Sequence, residues 1–399
     1  MKIANIIYDL DKGGAAIAVS RINSCLNQNK KISLIVSYKK QILNKNFSLF
    51  IRYKNYLNLY INKLFKKIFV YVFKLKFSNT VNFNYFDSPL LKRINESDFN
   101  IVNLHWIGND TLSIEDIGKI NKKVIITLHD MWAYTSIEHY IDEKTYLDYY
   151  VRNSRKLNFF LNVIFKKKIK NFKNISHVIC ASKWQKRMVD KSPIFKHSKK
   201  IIIPLPLNFN LWKPIEKNLA KKKLNVEKKG FIIFLPLSNR YAARRKGLDL
   251  TIKALERIKN IKICLITTNT EKIIFQNKNI IHKNIHNPSK PFELKTIYSA
   301  TDLFAMPSRY ESFGQTLLEA QACKCPAIVF KNTGCEDMIQ HKENGYIAKY
   351  INVQDLEAGI KWCIKKFNKK NTHFIRKQAK INYSEKAIYQ KYIKILEQI

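Results

Sequence analysis

Short apolar runs alternate with longer amphipathic stretches along most of the chain. KIANIIYDL (2–10) leads through the turn DKGG into AAIAVSRINSCLN and then KISLIVSY (31–38). Strand, glycine turn, helix, strand is the order of a parallel βαβ unit. NIVNLHW (100–106), VIITLHD (124–130) and HVICAS (177–182) continue the series. IIIPLPLNFNLWKPI (201–215) breaks it, being proline-rich and aperiodic, and reads as an interdomain crossover. A second series follows with FIIFLPLS (231–238), KICLITT (262–268), DLFAMPS (302–308) and PAIVF (326–330). The pattern predicts an α/β protein of two Rossmann-like domains, 1–205 and 206–382, facing each other across a ligand cleft at the carboxyl ends of the strands. A last helix at 383–399 is expected to pack back on the first domain. A chain of 399 residues, 46% of them hydrophobic, is long enough to bury two cores.

AMPSRYESFGQTLLEAQACKCPAI (305–328) carries the most chemistry. A strand ends there, a polar loop follows and a helix opens, with carboxylates at Glu311 and Glu319. On one straight helix the two would lie about 12 Å apart along the axis; the loop lets Glu311 swing in front of the helix instead. Ser312 and Gln315 form a capping-box pattern that predicts a helix start near Phe313. The N–H groups at such a start, with Gly314 allowing close approach, suit an anionic or hydroxyl-rich guest such as a nucleotide sugar. An acid in a first helical turn can equally do no more than complement the helix dipole.

Three further groups stand at strand ends. LSNRYAARRKGLDL places Arg240 and Lys246 after FIIFLPLS, where two cations could hold a diphosphate; with 72 basic residues in the chain, such spacing also arises by chance. Gly13 and Gly14 occupy the first β–α turn, open to a phosphate or sugar, although GxGxxG is missing. His129 ends VIITLHD and could bond a transferring sugar or an acceptor hydroxyl, while a lone histidine can also be purely structural. His105 ends the preceding strand in the same manner and is the weaker candidate.

The net charge is +42. Residues 12–86 hold 14 Lys or Arg and no acid, and an insertion near 40–85 contains the amphipathic YLNLYINKLFKKIFVYVFKLKF (56–77). RNSRKLNFFLNVIFKKKIKNFK (152–173) adds eight basic residues and no acid. Apolar residues interleave the lysines as at a lipid interface, which favours an anionic membrane surface over nucleic acid. Seven cysteines without a CxxC pair suit reduced thiols in the cytoplasm. No signal peptide or membrane-spanning helix is expected. Asp9-Leu10-Asp11 is read as a chance DxD, and no metal is expected.

These residues together resemble the retaining glycosyltransferases of the group 1, or family 4, type. The resemblance rests on GGAAIAVSRI, NLHWIGNDTLSIEDIGKINKKVIITLHDMWAYT, RYAARRKG, YESFGQTLLEAQACKCPAIVF and TGCEDMIQHKENGYIAK, which together cover most of the chain outside the basic insertion. The LHW and TLHDMWA pieces look most like bacterial transferases that build surface polysaccharide, such as colanic acid and O-antigen. The resemblance implies a GT-B fold and transfer of a sugar, with retention, from a nucleotide-sugar donor to a saccharide acceptor, often lipid-linked, on the cytoplasmic face of the membrane. It implies that Glu311 meets the donor sugar, Glu319 the ribose, and Arg240 and Lys246 the diphosphate. Backbone N–H groups of Phe313, Gly314, Gln315 and Thr316 would face the sugar, Gly13 and Gly14 would line the cleft, and His129 would lie near donor sugar and acceptor. Two departures stand out: YTSIEHYIDEKTY replaces a Gly- and Cys-containing loop on the acceptor side, and Ser238-Asn239 precede Arg240 where glycine is common. A dinucleotide-dependent oxidoreductase and a non-catalytic membrane-surface protein are the competing readings of the same pattern.

Overall fold

A computed structural model describes residues 1–28, 33–39, 60–61, 64, 68, 81–152, 158–227, 229–238, 242–288, 290–367 and 372–399. The chain divides into two compact units, Met1–Leu205 with Tyr389–Ile399, and Pro206–Ile388.

The first unit runs β1 (Ile3–Ile7), α1 (Gly14–Leu26), β2 (Ser33–Ser37), α2 (Leu90–Glu96), β3 (Ile101–Leu104), α3 (Ile114–Gly118), β4 (Lys123–Thr127), α4 (Phe159–Asn171), β5 (Ile175–Cys180), α5 (Lys183–Asp190) and β6 (Lys199–Ile202). Among the described residues its sheet has the order β2-β1-β3-β4-β5-β6, with every pairing parallel. IANII is buried along its whole length, as expected of a parallel strand covered on both faces. Leaving β1, the chain can turn to either side, towards β2 or β3, so the strand order reverses there.

The second unit runs α6 (Lys217–Lys223), β7 (Phe231–Leu235), α7 (Leu248–Glu256), β8 (Ile263–Thr268), β9 (Ile280–Ile285), α8 (Pro291–Ala300), β10 (Leu303–Met306), α9 (Gln315–Ala322), β11 (Ala327–Phe330), β12 (Gly345–Ala348), α10 (Val353–Phe367) and α11 (His373–Tyr383). Its all-parallel sheet has the order β12-β11-β10-β7-β8-β9. Counted from β7, this is the doubly wound dinucleotide-fold order, with the switch point between β7 and β10. FIIFL and ICLITT are wholly buried. The final helix, α12 (Glu385–Leu396), is shared between the two units at Tyr389.

Three strands lie outside the sequence expectation, namely β6, β9 and β12. All are sheet edges. KKII and IIHKNI are largely half-buried or exposed and carry lysines, so the apolar run that marks a central strand is missing.

Candidate active site

In the second unit the loops after β7 and β10 leave the sheet on either side of its switch point, the place where doubly wound sheets bind ligands. The β10 loop brings Glu311 against the β7 loop. Lys246 Nζ donates to Glu311 Oε2 at 2.5 Å, and Arg245 Nη1 stands 3.7 Å from the same oxygen. Burial alone would raise the Glu311 pKa, but the two cations outweigh it and hold the carboxyl below its ordinary value. One acid facing two bases leaves an excess positive charge, suited to a polyphosphate beside a hydroxyl acceptor.

Several bonds knit the two loops together. Arg309 makes a fork to Asp249, with Nη1 to Oδ1 at 2.8 Å and Nη2 to Oδ2 at 2.7 Å. Its backbone N–H donates to the Arg245 carbonyl at 2.8 Å, and Arg245 Nη1 donates to the Tyr310 carbonyl at 3.2 Å. Gly247 caps α7 at φ +78°, and a Cβ there would come within 2.1 Å of the Pro307 carbonyl oxygen, so only glycine lets the β7 loop close on the β10 loop.

The helix start differs from the expectation. α9 begins at Gln315, its N-cap is Gly314 at φ 94°, and no side chain caps it. The predicted Ser312–Gln315 box is therefore replaced by a left-handed glycine: the tight Glu311–Gly314 turn sets the entry angle, and a Cβ at Gly314 would meet Cys335 Sγ at 2.7 Å. Phe313 is buried, its ring 6.0 Å from that of Tyr383, while Gln315 and Thr316 are half-buried. Glu319 is only 4% exposed and accepts from the Tyr298 hydroxyl at 2.9 Å. Lys246 and Glu311 thus come together, whereas Glu319 sits deeper beside Tyr298. Arg240 lies outside the described residues.

In the first unit, His105 and His129 follow the neighbouring strands β3 and β4. Their rings stack at 5.3 Å and 27°, and His105 Nδ1 is 3.0 Å from His129 Nε2. His105 is buried and His129 half-buried. Burial, reinforced by its neighbour, pushes His105 well below the ordinary histidine range; burial brings His129 down to about 4 despite the adjacent Asp130 carboxylate. Beside them Asp130 Oδ2 accepts from His139 Nδ1 at 2.6 Å, and Trp106 stacks on His139 at 5.5 Å. A pocket lined by Trp106, Gly108, His129, Asp130, Trp132 and His139 opens here. The unusual loop YTSIEHYIDEKTY is built inward: Thr135, Ser136, Glu138 and His139 are buried, and Lys168 of α4 donates to the carbonyls of Trp132 and Thr135 at 2.5 and 3.1 Å. Gly13 is the exposed N-cap of α1 at φ +97°, followed by Gly14 as its first residue. Asp9 is tied to Lys39 at 2.8 Å.

Reading the sequence missed Arg245, the Arg309–Asp249 fork and the Asp130–His139 pair. The repeated strand ending LHW and LHD was the available signal for the two stacked histidines.

Two doubly wound parallel units, the second with a charged cluster at its switch point, make up the GT-B fold. Residues 216–381, within the second unit, match the family described as "Glycosyl transferases group 1". N,N'-diacetylbacillosaminyl-diphospho-undecaprenol alpha-1,3-N-acetylgalactosaminyltransferase of Campylobacter jejuni is 23% identical over 188 residues, 46% of this chain. The chain spans about half of that relative, 49% of its length. Among solved structures, sucrose-phosphate synthase of Thermosynechococcus elongatus superposes with a TM-score of 0.65 at 16% identity, over 100% of this chain and 98% of that one. Anabaena HepE in complex with UDP and glucose gives 0.63 at 15% identity, covering all of both chains. At these identities the likeness shows the fold.

Proposed function

We propose that the chain is a retaining glycosyltransferase that moves a sugar from a nucleotide-sugar donor to a lipid-linked saccharide acceptor in bacterial surface-polysaccharide synthesis. The observation that carries this reading is the Lys246–Arg245–Glu311 cluster at the switch point of the second unit. Lys246, Arg245 and Arg240 would hold the donor diphosphate and stabilise its charge as it leaves, without a metal. Glu311 would accept from donor sugar hydroxyls, Glu319 would serve the ribose, and the turn Phe313–Thr316 would present backbone N–H groups. The bond from the anomeric carbon to the diphosphate breaks, the acceptor oxygen bonds the same face of that carbon, and its proton passes to the departing phosphate oxygen. Gly13, Gly14 and His129 are the first unit's own candidate sugar-binding residues. The UDP named with HepE and the diphospho-undecaprenol in the Campylobacter relative's name support donor and acceptor of these kinds.

The reading includes a place on the cytoplasmic face of an anionic membrane. α4 carries one outward stripe, Phe159, Val163, Lys166 and Lys170, apolar at one end and basic at the other, with Phe159 86% exposed. Of the stretch 56–77 the described residues Tyr60, Ile61, Leu64 and Ile68 are helical and exposed. Among the described residues no helix is long and apolar enough to cross a membrane. A thermal-shift screen against UDP-, GDP- and dTDP-sugars with NAD as control tests the donor assignment: stabilisation by one nucleotide sugar is expected, and a response to NAD alone would overturn it.

A further inference from the structure

The two stacked histidines of the first unit belong to a longer chain of hydrogen bonds whose polarity can be read from its far end. Asn5 of β1 is fully buried. Its Nδ2 donates to Ser33 Oγ at 2.6 Å and faces the Leu34 carbonyl, which can only accept. Asn5 Oδ1 is therefore the acceptor end. It receives Asn103 Nδ2 at 3.1 Å, and Asn103 Oδ1 in turn receives the Thr127 hydroxyl at 3.0 Å. The remaining neighbour of Asn5 Oδ1 is His105 Nε2 at 2.9 Å, so that nitrogen carries the hydrogen. A neutral imidazole with Nε2–H has a bare lone pair on Nδ1. His105 Nδ1 faces His129 Nε2 at 3.0 Å, and it can only accept, so His129 Nε2 must donate.

We propose that His105, anchored by Asn5, is a positioning residue that locks His129 as the Nε2–H tautomer, leaving His129 Nδ1 to accept a hydrogen bond from a sugar hydroxyl. The proposal rests on the transferase reading for the identity of that hydroxyl, but the tautomer does not. It makes His129 an acceptor for substrate and excludes a role as a cationic donor. Asn5, Asn103 and Thr127 are buried side chains on β1, β3 and β4, and His105 is buried immediately after β3, so rigid strands set the orientation of its ring. The titratable groups facing His129 are His105 from the end of β3 and Asp130 from its own loop, with His139 and Lys168 acting through Asp130. None of them offers a second acceptor that would hold His129 in the other tautomer: Asp130 is engaged by His139 and by the Trp132 N–H.

The test is nitrogen-15 NMR of the full chain labelled in its histidines, with the His129 signals assigned by their loss in His129→Asn. The wild-type protein should show a protonated Nε2 and an unprotonated Nδ1 at His129. His105→Leu, which removes the acceptor, should give a mixture of tautomers and lower kcat by about tenfold or more with KM for the donor little changed. His105→Asn places a carbonyl oxygen near the former Nδ1 and should restore the tautomer and most of kcat. A protonated Nδ1 at His129 in the wild type overturns the proposal whatever the activity, and needs no variant to fold. Finding Nε2–H while His129→Asn transfers sugar as fast as the wild type would support the tautomer and overturn the role given to His129 in transfer.

Discussion

At the scale of single residues, charge and burial decide what each side chain offers. Glu311 is paired before any donor arrives, so a diphosphate would compete with it for Lys246. A hydrogen bond to a charged group is worth about 1.5–3 kcal/mol. Lys246→Ala is therefore expected to lower kcat/KM for the donor roughly tenfold to a hundredfold, and steady-state kinetics would detect it; an unchanged value removes Lys246 from the site. His129 gives a prediction in pH. Its folded-state pKa of about 4 lies below that of an unfolded histidine, near 6.5. Between those values the unfolded chain binds the extra proton, so this contribution is present above pH ~6.5 and declines as the pH falls towards 4, by on the order of 3 kcal/mol. Urea midpoints should drop from pH 7 to pH 5 more steeply in the wild type than in His129→Asn. Parallel slopes would show that the ring does not resist protonation.

At the scale of elements, backbone geometry rather than side-chain capping shapes the site. The sequence led to a capped helix at Phe313, whereas α9 starts two residues later behind a left-handed Gly314. Ser, Gln and their spacing are visible in one dimension, but the close approach of Cys335 and Met306 to Gly314 is not. Gly247 makes the same point for the β7 loop. Gly247→Ala should cost about 2 kcal/mol or more in stability, from a disfavoured φ and the encounter with the Pro307 carbonyl. A urea midpoint equal to the wild type would show the loop can move away freely. Arg309 was not legible as a contributor because its partner, Asp249, lies 60 residues earlier in the chain. Arg309→Lys, which keeps the charge but loses the fork, should raise KM for the donor while leaving secondary structure intact by circular dichroism.

At the scale of the molecule, charge and exposed apolar surface set the expected surroundings. A net charge of +42 disperses over both halves of the sequence, so the total alone does not locate a partner. The stripe on α4 is the candidate for the proposed membrane contact, since its apolar and basic ends suit the acyl boundary and the head groups of an anionic bilayer. Lys166→Glu with Lys170→Glu should reduce co-sedimentation with phosphatidylglycerol vesicles severalfold and leave the weak association with neutral vesicles as it was. Equal loss with both lipids, or none, would remove α4 as the docking element.

The sequence by itself indicated the class of fold: two series of short, continuously apolar runs alternating with helical stretches suit parallel sheets covered on both faces, and the turn after β10 could be found by the spacing of Glu311 and Glu319. It also placed His129, Lys246 and Glu311 at strand ends. The tertiary structure alone decided which of these meet. Strand order set the switch point between β7 and β10, burial set Glu319 apart beside Tyr298, and packing of β1 against β3 and β4 joined Asn5, His105 and His129. Hydrogen bonds between residues a hundred positions apart follow from sheet register, and no local pattern in the chain encodes it.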